Sequence, residues 1–307
     1  MINNILVPLD GSKLAEVALP VAESLAGSLN ASITLLHVIE ANAPKQIHGE
    51  RHLATVAEAE MYLTQMAQRM KSADIEVKAH VHTEEVRNVA RSIVNHCGEL
   101  CPDLIVMCAH GEGGLRDWML GSIAQQAIKF GAMPILLLQP DQPDYQPPVS
   151  FTRYLVALDG HPEHEYGLKV AGELACRTGA AIHLLSVIPN VNNLTGARAA
   201  AQKLLPGAGR AMLDYMEDSV NDYLTQHAEI WKKKGVAVSV EVRRGNPVEE
   251  IFLAAEKSGD DLIVLGTHGK AGIDAFWAGS VASPIISMSK MPLLLVPAHR
   301  YKEGCSE

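Results

Sequence analysis

Apolar and polar positions divide the chain into a regular alternation. Asn3–Leu9 is an almost unbroken apolar run, the pattern of a parallel strand buried on both faces. Asp10-Gly11-Ser12 interrupts it. Behind Ser12, a good N-cap, Leu14, Val17, Ala18, Val21, Ala22 and Leu25 recur at helical spacing. A second strand is predicted over Ser32–Ile39, a polar helical stretch over Glu50–Met70 and a third strand over Ile75–His82. A helix near Glu85–His96 then leads to a fourth strand at Asp103–Cys108. The glycine-bearing loop His110–Gly121 opens a helix ending near Gly131, and Pro134–Gln139 is the last strand.

The pattern then starts again. Ile5-Leu-Val-Pro-Leu-Asp10 is echoed by Tyr154-Leu-Val-Ala-Leu-Asp159, and Asp103-Leu-Ile-Val by Asp261-Leu-Ile-Val. The offset is 149 residues at Leu6/Leu155 and 158 at Asp103/Asp261, so the second copy carries an insertion, around Asn190–Gly209. Its strands are predicted at Arg153–Leu158, Ala181–Ile188, Ala237–Arg243, Asp261–Gly266 and Pro292–Val296, with a long helix at about Arg210–Lys234. A repeat of this length exceeds a solenoid unit, so each copy is expected to be a domain. The boundaries are 1–140 and 151–307, joined by a linker over 141–150 in a segment bearing Pro140, Pro143, Pro147 and Pro148. Strands alternating with helices imply an α/β fold: two tandem doubly wound domains, each a parallel sheet with helices on both faces. Ligands of such sheets sit beyond the carboxyl ends of the strands, where the strand order reverses. Asp159, Val187 and Gly266 all fall at predicted strand carboxyl ends.

Composition narrows the partners. A formal net charge of -9 argues against nucleic acid or an anionic membrane as the main partner. No apolar run approaches the roughly 20 residues of a membrane span, and no leader segment precedes the first strand, so a cytoplasmic location is expected. Five cysteines, an odd number, fit no zinc pattern and read as reduced structural thiols. His80-x-His82 and His161-Pro-Glu-His164 lack a completing ligand set, and no metal site is expected.

The sharpest local signal is Gly266-Thr-His268-Gly269, followed by Gly279-Ser280-Val281. Glycines let the backbone turn tightly and approach a ligand, the following helix offers unpaired N–H groups to an anion, and Lys270 adds a positive charge beside that path. With an Asp closing the first strand and a His-Val-Ile second strand, this G-x2-G-x9-G-S pattern resembles the universal stress protein family, across nearly all of both copies.

That resemblance implies a five-stranded sheet ordered 3-2-1-4-5 in each copy and binding of ATP or a related adenine nucleotide, with or without magnesium. By the same resemblance Asp159 contacts the ribose or adenine side, the Val187 backbone bonds adenine, and Gly266, Gly269, Gly279 and Ser280 cradle the phosphates. Leu158, His268, Lys270 and Val281 belong to the same set. It also implies that the final strands, Met133–Gln139 and Met291–Pro297, pair antiparallel within the chain as a pseudo-dimer, with a homodimer of such chains as a further expectation. Pro284 departs from the pattern by removing a donor early in the phosphate helix.

The first copy keeps Asp10, Val38, Gly111, Gly121 and Ser122. It has Cys108 for the first loop glycine and Glu112 for Lys270, and His82-Thr-Glu-Glu85 replaces the Gly245-Asn-Pro turn. A carboxylate within about 4 Å of a phosphate costs roughly 1–4 kcal/mol, so this site is expected to be degenerate or differently selective. The leading reading is a cytoplasmic stress-response regulator that binds nucleotide mainly in its C-terminal copy, with at most weak ATPase activity. The alternatives are a slow ATP-hydrolysing or adenylating enzyme and a nucleotide-free dimerisation scaffold. Neither Asp10-Gly-Ser-Lys nor Asp159-Gly-His-Pro matches the Ser-Gly-Gly-x-Asp-Ser loop of adenylating enzymes, and there is no Walker lysine motif.

Overall fold

The computed structural model describes residues 2–41, 43, 46–47, 50–70, 74–109, 122–130, 133–139, 148–160, 162, 165–190, 206–267 and 281–297. In the first half the elements run β1 (Asn4–Pro8), α1 (Lys13–Glu16), α2 (Ala18–Leu29), β2 (Ser32–Glu40), β3 (Gln46–Ile47), β4 (Glu50–Arg51), α3 (Val56–Arg69), β5 (Val77–Val86), α4 (Val89–Leu100), β6 (Leu104–Cys108), α5 (Ser122–Phe130) and β7 (Ile135–Leu138). The second half runs β8 (Arg153–Ala157), α6 (Glu165–Thr178), β9 (Ala181–Ile188), α7 (Pro206–Lys232), β10 (Val238–Arg244), α8 (Pro247–Ser258), β11 (Leu262–Thr267), α9 (Ala282–Met288) and β12 (Leu293–Pro297).

Both halves have the order third-second-first-fourth-fifth, with parallel neighbours, and the two join into one ten-stranded sheet, β10-β9-β8-β11-β12-β7-β6-β1-β2-β5. The only antiparallel step in it is the seam, where Leu293, Leu294 and Leu295 of β12 stand opposite Leu137, Leu136 and Ile135 of β7. Two apolar final strands, each an aggregation hazard as an open edge, thus cover each other. Gln139 crosses the seam to donate to the Ile286 carbonyl (3.1 Å), and Arg177 donates to Leu29 O at the end of α2 (2.8 Å).

The core lies in two continuous layers. One packs α2, α3, α6 and α7 on one face through Leu25, Leu63, Leu174 and Leu224. The other packs α4, α5, α8 and α9 on the opposite face through Ile93, Ala127, Ile251 and Ile285. Each layer spans both halves of the chain. The inner strands read as largely apolar runs because both of their faces are covered, whereas the edge strands β5 and β10 are partly exposed and carry polar residues.

Local chemistry repeats too. Asp103 accepts the N–H groups of Asn3 (2.8 Å) and Asn4 (3.3 Å), and Asp261 those of Thr152 (2.7 Å) and Arg153 (3.0 Å). The aspartate heading each fourth strand is a tie to the first strand.

Several expected boundaries move. Residues 50–51 belong to the small β3–β4 ribbon, and helix α3 starts only after Thr55, whose hydroxyl accepts the Glu58 N–H (3.3 Å). Strand β5 runs four residues past His82, to Val86, and the next helix starts at Val89 rather than near Glu85. Most of the expected linker, 141–147, lies outside the described residues. Cys97, Cys108 and Cys176 are free thiols, whereas Cys101 is disulfide-bonded, against the expectation of reduced thiols throughout.

Candidate functional site

In each half the first strand lies between the second and the fourth, so the connections leave it in opposite directions and a crevice opens at the carboxyl ends. In the second half this point gathers four of the residues expected there. Leu158 and Asp159 follow β8, Val187 is the penultimate residue of β9, and Gly266 lies near the end of β11. Leu158 is buried and its N–H donates to Leu185 O (2.9 Å), Val187 and Gly266 are half-buried, and Asp159 is exposed. His268, Gly269, Lys270, Gly279 and Ser280 lie outside the described residues.

Gly266 has a packing role as well. A Cβ on Gly167 of α6 would stand 3.2 Å from the Gly266 nitrogen, so helix and strand approach through a pair of glycines. Val281 is the N-cap of α9, and Pro284 is its third residue, where the missing N–H would be unpaired in any helix. The described helix starts at Ala282 with no side-chain cap bond from Val281. Beside Asp159 is a group that sequence reading missed: the Tyr223 hydroxyl donates to Glu165 (3.0 Å), and His227 lies 3.4 Å from the same carboxylate. Burial, then Glu165 and Asp159, hold the Tyr223 phenol protonated well above its ordinary range. Tyr62 donates likewise to Glu16 in the first half (3.3 Å). The signal available was the recurrence of both residues in the two copies.

In the first half the corresponding crevice is a cleft of about 760 Å³, counted to its open mouth. Asp10, Val38, Met107 and Cys108 line it, together with Leu36, His37, Glu40 and His52. Asp10 accepts from the Ser12 N–H (2.9 Å) and hydroxyl (2.7 Å), and Ser12 Oγ accepts the Ala15 N–H (3.1 Å). Glu50 accepts the Lys13 N–H (2.5 Å). Gly11, at φ 94°, turns beneath Leu53, whose Cγ would stand 2.8 Å from a Cβ there. The ribbon β3–β4 and the residues after it therefore fold over the loop following β1.

His37 is buried, and Nδ1 donates to the Leu9 carbonyl (2.7 Å). Burial, reinforced by nearby His52, lowers its pKa. Burial also raises the Cys108 thiol far above the ordinary range, so it is no thiolate at neutral pH. Gly111 and Gly121 lie outside the described residues, and Ser122 opens α5, its side chain outside them too.

One expectation about the first copy is overturned. Its third strand does not lose the asparagine turn. Asn88 caps α4 by accepting the Arg91 N–H (2.8 Å), as Asn246 caps α8 by accepting those of Val248 (2.9 Å) and Glu249 (3.4 Å). The longer β5 hides the match in the sequence. Beside it, His96 Nε2 bonds His82 Nδ1 (2.9 Å), His96 Nδ1 bonds Glu99 (2.8 Å), and His80 meets the His96 ring edge-on. Among the described residues no group of three or more His, Cys, Asp or Glu side chains is arranged to hold a metal ion. None of the described helices is long and apolar enough to cross a membrane.

Comparison with known proteins identifies the family and the fold. A profile of the universal stress protein family fits residues 1–139 and again 150–297. A universal stress protein of Mycolicibacterium smegmatis is 25% identical over 300 residues, covering 95% of this chain and 96% of its own. The crystal structure of a universal stress protein from Archaeoglobus fulgidus superposes with a TM-score of 0.66 at 18% identity, covering 96% of each chain. A functionally unknown protein of Pseudomonas aeruginosa superposes at 0.64 with 17% identity, over 96% of this chain and 92% of its own. At these identities the two superpositions establish the fold.

Proposed function

The chain belongs to the universal stress protein family, and from that premise we propose that it is a cytoplasmic stress-response regulator that binds ATP or a related adenine nucleotide in its C-terminal half. One observation carries the reading. Leu158, Asp159, Val187 and Gly266 converge at the carboxyl ends of β8, β9 and β11, where the strand order reverses. This is also the half whose sequence keeps Gly266, Gly269 and Gly279 together with Lys270. In the proposed arrangement the nucleoside lies against Leu158 and Val187, with Asp159 accepting from its hydroxyl or amino groups. The loop through His268, Gly269 and Lys270 to Gly279, Ser280 and Val281 faces the phosphates. Glycine backbone N–H groups and the Lys270 ammonium supply positive potential there.

Mass spectrometry of small molecules released from denatured protein, followed by calorimetric titration with ATP, tests the assignment. Asp159→Ala is expected to weaken ATP binding at least tenfold with little change in Tm. A sharp fall in Tm with normal binding by the folded fraction would make Asp159 a structural residue and contradict the assignment.

A further inference from the structure

The outer edge of the first half is tied down by histidines where the second half uses a fixed ion pair. β5 ends the ten-stranded sheet and is paired on one side only, to β2. In that register His80 stands beside Leu36 and His82 beside Val38. Both imidazoles therefore share the sheet face that Leu36 and Val38 give to the core layer of α4. There the buried His96 of α4 is engaged at both ring nitrogens, Nε2 meeting His82 Nδ1 (2.9 Å) and Nδ1 the Glu99 carboxylate (2.8 Å). Against the same ring His80 lies edge-on with its centroid 4.9 Å away, and His82 with its centroid 4.8 Å away.

The count of protons fixes what this chain of bonds can hold. A carboxylate only accepts, so His96 Nδ1 carries a proton. The link from His96 Nε2 to His82 Nδ1 then has room for one proton between its two nitrogens. It closes with both rings neutral, or with a single imidazolium on either ring. A second imidazolium would set N–H against N–H at 2.9 Å and place like charges on adjacent rings. The charged and titratable groups facing His80 are His82 on its own strand and His96 and Glu99 on α4, while β2 presents Leu36 and Val38. Burial and then His96 lower the His80 pKa, Glu99 opposes them, and His82 adds to the lowering. Cys97, next on the helix, stays a thiol because burial pushes it up to about 12.

The second copy serves as a control. Strand register and the Asn88 and Asn246 caps place Glu241, Arg243 and Ala254 where the first copy has His80, His82 and His96. Arg243 binds Glu250 (2.5 Å) and Glu241 (3.2 Å), a pairing whose charges hold between about pH 8 and about pH 5.

We propose that His80, His82 and His96 form an acid-released latch between edge strand β5 and helix α4. Near neutrality the latch is closed with at most one added proton. As pH falls the open form takes up a second, and β5 parts from α4 while the matching corner of the second half stays shut. The device uses no residue assigned to the nucleotide site of the C-terminal half, so it stands apart from that reading.

Hydrogen exchange of the full chain, read by mass spectrometry and corrected for the intrinsic pH dependence of exchange, tests it. An open form that gains one proton at the ordinary histidine value of about 6.5 rises about tenfold between about pH 7.5 and about pH 5.5, relative to a closed form that cannot. Protection of β5 and α4 should therefore fall about tenfold over that range, with β10 and α8 unchanged. In His82→Gln the link survives, since an amide can donate to His96 Nε2 or turn to accept from it, but it takes up no proton. Its protection should match the parent near neutrality and fall less than about twofold on acidification. His96→Ala, with the residue the second copy carries there, should leave β5 less protected at both pH values and remove the pH dependence. An equal loss in β10 and α8, a full tenfold loss surviving in His82→Gln, or constant protection of β5 across the range would overturn the proposal.

Discussion

The two halves share one frame, yet they finish the same corner of it with opposite chemistry. In the second half Arg153 and Asp260 pair at 2.9 Å, and His183 bridges Asp260 (2.8 Å) and Glu241 (3.2 Å). In the first half the matching strand positions hold Asn4 and Thr34, joined at 3.1 Å, with Asn4 also donating to the Leu100 carbonyl (2.9 Å). One corner is ionic and the other neutral, over the same backbone. The strand-carboxyl ends differ in the same spirit. A glycine pair, Gly167 and Gly266, brings helix to strand in the second half, where the first has Ala18 and Cys108. The fold therefore tolerates exchange at these corners as long as every buried polar group finds a partner. His37 Nε2 breaks that rule among the described residues, which makes it informative.

The ionic corner gives the largest expected effect. The Asp260 side chain is fully buried, so Asp260→Ala strands the buried His183 and half-buried Arg153 and should cost about 3–5 kcal/mol in urea unfolding. Asn4→Ala, in the neutral corner, should cost about 1–3 kcal/mol. Equal losses would erase the contrast. The two asparagine caps should behave alike: Asn88→Ala and Asn246→Ala are each expected to lower stability by about 0.5–2 kcal/mol. A loss confined to Asn246 would mean that the first copy had abandoned the turn.

The smallest effect is on pH dependence. Burial, the leading cause, depresses the His37 pKa below 6.5, so between the folded and unfolded pKa values the unfolded chain binds more protons. The neutral ring's contribution is complete above about pH 6.5 and is lost as pH falls toward the folded value. His37→Ser should flatten the decline in unfolding free energy between pH 7 and pH 5. An unchanged slope would show that His37 is not what titrates; His80, also lowered by burial and by His96, would be the next residue to change.

The inner strands were legible because burial on both faces leaves largely apolar runs, and the repeat made each half a check on the other. The seam between Met133–Gln139 and Met291–Pro297 was legible for the same reason, since two apolar edges need cover. The Asn88 turn was missed because β5 outruns its counterpart, which shifts the match out of register. Glu50 and Arg51 of the β3–β4 ribbon were read as the start of a helix because these polar residues carry no period to contradict one. The tyrosine–glutamate bonds and the His37 environment depend on contacts across about 28–58 residues of sequence, which no local pattern encodes. The placement of Asp159, Val187 and Gly266 at strand carboxyl ends was legible from the apolar pattern, whereas Leu158 entered only through the family resemblance.

The central claim is that one frame carries two unlike sites, with ATP confined to the second. Calorimetric titration of ATP into the parent chain, Gly269→Glu and Gly121→Glu measures this most directly. The account predicts one equivalent of ATP for the parent, its loss in Gly269→Glu, and an unchanged titration for Gly121→Glu. Two equivalent sites in the parent, or loss only in Gly121→Glu, would contradict it.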